Sequence, residues 1–164
     1  MRVFILHQWG RLLALTSGCF VVWAGLWGLF YRKFFWDMLG GTVGPAGLVP
    51  PPSAKFFIMT IVDAPIFQII NIANGLLTLA LEWPLPFIVG TALHRSLLTR
   101  AVFYFGSAFI AMFPYQTIDA GVFYLITSIV FARAAQIGES VESKEALAAA
   151  IFGPVFAEPT TRSR

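Results

Sequence analysis

Leu12-Leu13-Ala14-Leu15-Thr16-Ser17-Gly18-Cys19-Phe20-Val21-Val22-Trp23-Ala24-Gly25-Leu26-Trp27-Gly28-Leu29-Phe30 is a run of 19 residues without a charge. At about 1.5 Å per residue a helix of this length reaches roughly 28 Å, close to the hydrocarbon thickness of a bilayer. Arg11 precedes it, and Tyr31-Arg32-Lys33 ends it, followed by Phe34-Phe35-Trp36-Asp37. Aromatic rings beside charges suit the headgroup level, so Tyr31, Arg32, Lys33, Phe34, Phe35 and Trp36 read as an interface anchor. The run is longer than the apolar core of a secretory signal, and no A-x-A cleavage site closes it. Leu15-Thr16-Ser17-Gly18-Cys19 resembles a lipoprotein cleavage site, but Thr16 stands where Leu is usual. The run is therefore read as a span that stays in the protein.

The whole chain has the same character. Of its 164 residues 58% are hydrophobic and 12% charged, against roughly 25% charged in a soluble domain. So little polar surface could not cover so much apolar side chain in water, whereas lipid solvates apolar faces directly. The length fits one domain. The net charge of +3 does not point to nucleic acid, because the basic residues flank apolar runs instead of gathering on a polar segment. Cys19 is the one cysteine, which excludes an internal disulfide.

Residues 38–55 hold Gly40-Gly41, Gly44-Pro45, Gly47 and Pro50-Pro51-Pro52, and no helix runs through such a stretch. The next apolar block, Phe56 to Leu81, is interrupted by Asp63-Ala64-Pro65. One tilted helix kinked at Pro65 is the favoured reading. In the rival, Asp63 caps a helix starting at Ala64 or Pro65, and Phe56 to Val62 lies along the interface. Phe87 to Leu93 is too short to cross. Ala101 to Ala135 holds about 35 apolar residues, with Pro114 to Gly121 as a turn and Thr117 or Asp119 as a helix cap. The expected fold is thus all-α, a polytopic transmembrane helical bundle. It would occupy residues 1–138 with four spans, at about 12–30, 56–81, 96–113 and 118–135. The alternative is three spans with a long kinked last helix. Residues 139–164 read as a soluble tail with a short amphipathic helix. In the four-span reading the terminal side holds Arg2, Arg11, Arg95, Arg100 and Arg133 against Arg32, Lys33 and Lys55, so the positive-inside rule puts both termini in the cytosol.

No HExxH, CxxC, GxGxxG, GxSxG or P-loop pattern occurs, and no set of acid, base and metal ligands suggests an enzyme. No cofactor is implied. His94, Arg95 and Arg100 are candidate contacts to lipid headgroups, or simply a basic loop beside anionic lipid. Thr60, Asp63, Asn71, Asn74 and Thr78 fall within an arc of about 80° at 100° per residue, with Gln68 off it. This stripe is either the lining of a path with Asp63 as its ion or proton site, or hydrogen-bonding glue between helices. Ala14, Gly18, Gly25 and Gly28 share a similar arc on the first span and form a packing face, used within the chain or for a homo-oligomer or partner subunit.

Trp27-Gly28-Leu29-Phe30-Tyr31-Arg32-Lys33-Phe34-Phe35-Trp36-Asp37 with Gly40-Gly41, His94-Arg95-Ser96 with Arg100, and Ala132-Arg133-Ala134 through Gly138-Glu139 together resemble a family. It consists of small fungal membrane proteins defined only as a domain of unknown function. The likeness covers about residues 9–142 and implies four helices and a fungal source. It implies no activity and carries over no catalytic residue. The functional expectation is a structural or accessory membrane protein acting through lipids and other membrane proteins. The alternative is a small transporter or channel subunit using the stripe around Asp63.

Overall fold

A computed structural model describes residues 6–45, 47–83 and 96–139. His94, Arg95 and the amphipathic helix expected in the tail lie outside these residues. The first helix, α1 (Leu6–Phe30), has 25 residues and starts six residues ahead of the charge-free run. It passes straight through Arg11, whose side chain finds a partner described below. The chain then makes a 3-10 turn (Phe35–Met38) and a two-stranded antiparallel hairpin, β1 (Thr42–Gly44) with β2 (Gly47–Val49). This hairpin sits within the stretch read as irregular from its glycines and prolines. Gly47 has φ +116°, a conformation open to glycine at little steric cost.

The second apolar block is broken, not gently kinked. A short helix, α2 (Lys55–Ile58), continues as a π-turn (Met59–Asp63), and α3 (Ile66–Glu82) follows at a bend of 64°. Pro65 explains the break. It lacks an N–H, and its ring drives the preceding residue out of the helical region; Ala64 is accordingly extended at φ −116°, ψ 124°. Asp63 does not cap the next helix, whose N-cap is Pro65 with no side-chain bond. Arg32 instead donates to the freed carbonyls of Val62 (3.3 Å) and Asp63 (3.1 Å), and the Gln68 amide donates to that of Ile61 (2.9 Å).

Residues 96–136 form two helices, not one. α4 (Leu97–Ala111) is capped by Ser96, whose hydroxyl accepts from the Thr99 N–H at 3.2 Å. After a 3-10 turn (Tyr115–Thr117), α5 (Ile118–Gln136) runs back along α4. Thr117 closes this corner by donating to the Ala111 carbonyl at 2.7 Å. The post-α1 segment is stitched to the same corner by Phe35 N–H to Phe113 O and Tyr115 N–H to Lys33 O, both 2.9 Å.

The four long helices alternate in direction. α1 packs against both α3 and α5, and α4 packs against α5. One core runs through Ala14, Val21, Tyr104, Ala108, Tyr124 and Phe131; a second, around Phe34, Ile61, Phe57 and Phe113, lies at the end holding the breaks. The small residues of α1 face their neighbours. A Cβ on Gly18 would lie 3.2 Å from the Gly75 carbonyl, and one on Gly25 2.7 Å from Ile72. α1 and α5, the latter counted from Tyr115, are each long and apolar enough to cross a membrane. The broken pair passes the same test together, and α4 is shorter.

Candidate functional site

A subset of the polar side chains of the long helices, among them Ser17, Gln68, Asn71, Thr78, Glu82, Arg100 and Thr127, is buried and runs through the interior as a column. It starts where α3 ends and α4 begins. Glu82 closes α3 with 2% of its surface exposed, and Arg100 sits in the first turn of α4 with 4%. Arg100 Nη1 donates to Glu82 Oε1 at 3.2 Å and Oε2 at 3.0 Å, and the Tyr104 hydroxyl donates to Oε1 at 2.5 Å. The guanidinium lies 5.6 Å from the centre of the Phe131 ring. Arg11 adds a bond from Nε to the Glu82 carbonyl at 2.9 Å, which satisfies one of the free carbonyls at the helix end. Four helices are thereby tied at one charged knot, whose net charge from Glu82 and Arg100 cancels. A buried charge without such a partner would be strongly unfavourable.

The column continues inward. Tyr104 stacks on Tyr124 (5.8 Å between centroids), and the Thr78 hydroxyl donates to Asn74 O at 2.8 Å and so accepts from the Tyr124 hydroxyl at 2.9 Å. Ser17 and Thr127 face each other at 3.4 Å between α1 and α5, and Ser128 donates to Ala101 O at 2.7 Å. Nearer the breaks, Asn71 donates to Thr117 at 3.3 Å, Gln68 to Ile61 O, and Gln116 to Tyr31 O. Beside the charged knot, Glu139 just past α5 accepts from the Leu6 N–H (2.8 Å), the His7 N–H (2.7 Å) and the His7 ring (2.8 Å). Partial burial pushes the Glu139 carboxyl up, but these three hydrogen bonds outweigh it and hold the group below its ordinary value.

The residues singled out from sequence are distributed as follows. Thr60, Asn71 and Thr78 of the stripe are buried, Asn74 is half-buried, and Asp63 is exposed at the break. Thr60 spends its hydroxyl on Phe56 O. Ala14, Gly18, Gly25 and Gly28 are buried. In the anchor, Phe34 is buried, Tyr31, Arg32 and Lys33 are exposed, and Trp36 donates from Nε1 to Met112 O at 2.9 Å. Arg100 is committed to Glu82 rather than turned toward a headgroup. Glu82, Tyr104 and Tyr124 escaped the sequence reading, and Gln68, set off the stripe there, is fully buried. Opposite charges ending one apolar helix and starting the next, Glu82 and Arg100, were the available signal.

A family model described as a domain of unknown function (DUF7727) matches residues 1–139. No curated protein sequence and no solved structure matches the chain.

Proposed function

The chain belongs to the DUF7727 family of domains of unknown function, and from that premise we propose that it is a multi-pass membrane protein with a structural or accessory role. The carrying observation is an inverted distribution of polarity. Trp23, Phe30, Ile69, Leu76, Phe105 and Ile129 are exposed, while Gln68, Asn71, Thr78, Glu82, Arg100 and Thr127 are buried. Water would favour the opposite arrangement. Lipid favours this one, because it solvates the outer face and offers no partner to a polar group.

In this reading α1, α3, α4 and α5 each cross once. α3 alone reaches about 26 Å and α4 about 22 Å at 1.5 Å per residue, and Ser96, Met112 and Phe113 flank α4. α2 then lies at the interface, with exposed Lys55 and Phe56. The Glu139 bonds to Leu6 and His7 bring the two ends of the described chain to one side, as an even number of crossings requires. Among the described residues Arg11, Arg100 and Arg133 lie at that end and Arg32, Lys33 and Lys55 at the other, an even count; Arg2 and Arg95, assigned to the terminal side by their place in the sequence, make the excess by which the positive-inside rule directs that side to the cytosol.

The protein acts by association and not by catalysis. The small-residue face of α1 is occupied by α3 within the chain, which leaves the outer aromatic face for partners. Trp23, Trp27 and Tyr31 form a ladder there, with successive ring centres 5.9 Å apart. The geometry does not favour transport along the Asp63 stripe, since Asp63 is exposed while Asn71 and Thr78 are tied to α5 and the turn before it. Purification in mild detergent tests the role: a stoichiometric membrane-protein partner is expected, lost in Trp23→Ala/Trp27→Ala. A chain that purifies alone and monomeric would contradict it.

A further inference from the structure

Three amides meet where α1, α3 and the 3-10 turn before α5 come together. Gln68 and Asn71 lie one turn apart on α3 and are 0% and 1% exposed. Gln116 stands across from them. A Cβ on Gly28 would lie 3.0 Å from Gln68 Cγ and 3.6 Å from Gln116 Oε1, so the missing side chain at Gly28 lets α1 approach this junction closely, and a methyl there would crowd it.

The orientation of each amide is fixed by what its NH₂ group reaches. Gln68 donates to the Ile61 carbonyl and Gln116 to the Tyr31 carbonyl. Asn71 donates to the Thr117 hydroxyl, whose own proton goes to the Ala111 carbonyl. Flipping any of them would set an oxygen against an acceptor. All three remaining atoms, Gln68 Oε1, Asn71 Oδ1 and Gln116 Oε1, are therefore acceptors. They are buried, and no donor among the described residues reaches them. A buried acceptor left unpaired has lost its water without compensation, so three in one junction call for donors.

We propose that this junction is a binding site for ordered water, held by Gln68, Asn71 and Gln116. Water fits the chemistry. It supplies two protons per molecule and needs two to four polar partners in a polar niche. A metal cation fits less well, because the three ligands are neutral and the Arg32 guanidinium sits on the Val62 and Asp63 carbonyls, next along the chain from the Ile61 carbonyl that Gln68 holds. The bound water would also complete the hydrogen bonding around the broken helix, the usual role of water where a helix is interrupted. The site stands on the amide geometry alone, independently of the membrane reading.

The test is water-edited NMR on the full chain in detergent micelles, with Gln and Asn side chains labelled. Rapid magnetisation transfer from long-lived water to the Gln68 and Asn71 NH₂ groups is expected. Gly28→Ala should at least halve it, with the Thr78 and Tyr124 region unshifted. No transfer in the wild-type protein overturns the proposal, whether or not the variant folds. Side-chain shifts that titrate with Na⁺ or K⁺ and suppress the transfer would also overturn it, in favour of a cation.

Discussion

Replacing Arg100 by Met isolates the charged knot. The change keeps most of the side-chain volume but removes both bonds to Glu82, at 3.0 and 3.2 Å. The Glu82 carboxylate, 2% exposed, is left with the Tyr104 hydroxyl alone. Breaking one side of a buried pair costs about 3–5 kcal/mol, a factor of roughly 10² to 10⁴ in the folded-to-unfolded ratio. Tyr104→Phe removes one bond to a charged acceptor and should cost about 1.5–3 kcal/mol. The informative variant is the double one, Glu82→Gln/Arg100→Met. With neither charge present, most of the penalty should disappear, giving a coupling well above the few tenths of a kcal/mol of independent sites. Equilibrium unfolding in micelles, followed by tryptophan fluorescence, is measured on wild type, Arg100→Met, Glu82→Gln and the double variant, which close the cycle, and on Tyr104→Phe. If Arg100→Met lies within about 0.5 kcal/mol of wild type, or the two single effects simply add, the pair is not buried as described and the reasoning fails.

Gly75→Ala should push α1 from α3, since its Cβ would fall 2.6 Å from both Val21 and Val22 and 3.0 Å from the Gly18 carbonyl; a loss of about 1–3 kcal/mol in the same unfolding assay is expected. Gly106→Ala on α4 meets nothing within 4 Å and should stabilise by about 0.5–1 kcal/mol through helix propensity. Glu139 has a folded-state pKa below its ordinary value of 4.5, so its contribution is complete above that value and is lost as pH falls through the lower folded value. Glu139→Gln should therefore flatten the decline in stability below about pH 4.5, read from unfolding midpoints across pH 3–7.

The sequence reveals its helices more readily than its contacts. The charge-free run from Leu12 to Phe30 reads as a helix, and the Pro114–Gly121 corner favours separating α4 from α5, although one long kinked helix fits the same apolar pattern. The start of α4 near Ser96 is legible in the sequence, and the structure adds the cap that Ser96 makes with the Thr99 N–H. The extension of α1 back to Leu6 was hidden because Arg11 looks like a boundary; its tolerance depends on the Glu82 carbonyl, 71 residues away. The break at Ala64 was half visible, since Pro65 signals a disturbance, but Arg32 and Gln68 decide how its carbonyls are satisfied. Glu82 and Arg100 each looked like an ordinary end of an apolar run, and their pairing is tertiary. The small β1–β2 hairpin was masked by glycines and prolines that equally suit an irregular loop.

An apolar outer surface around an interior that shelters polar side chains within its hydrophobic core has one direct physical consequence, which is where the protein resides after membranes are stripped of peripheral chains. Membranes from cells expressing the full chain are washed with alkaline carbonate and sedimented. Retention in the pellet, with release only by detergent, is the expected result. Recovery of the folded chain in the supernatant would contradict the account.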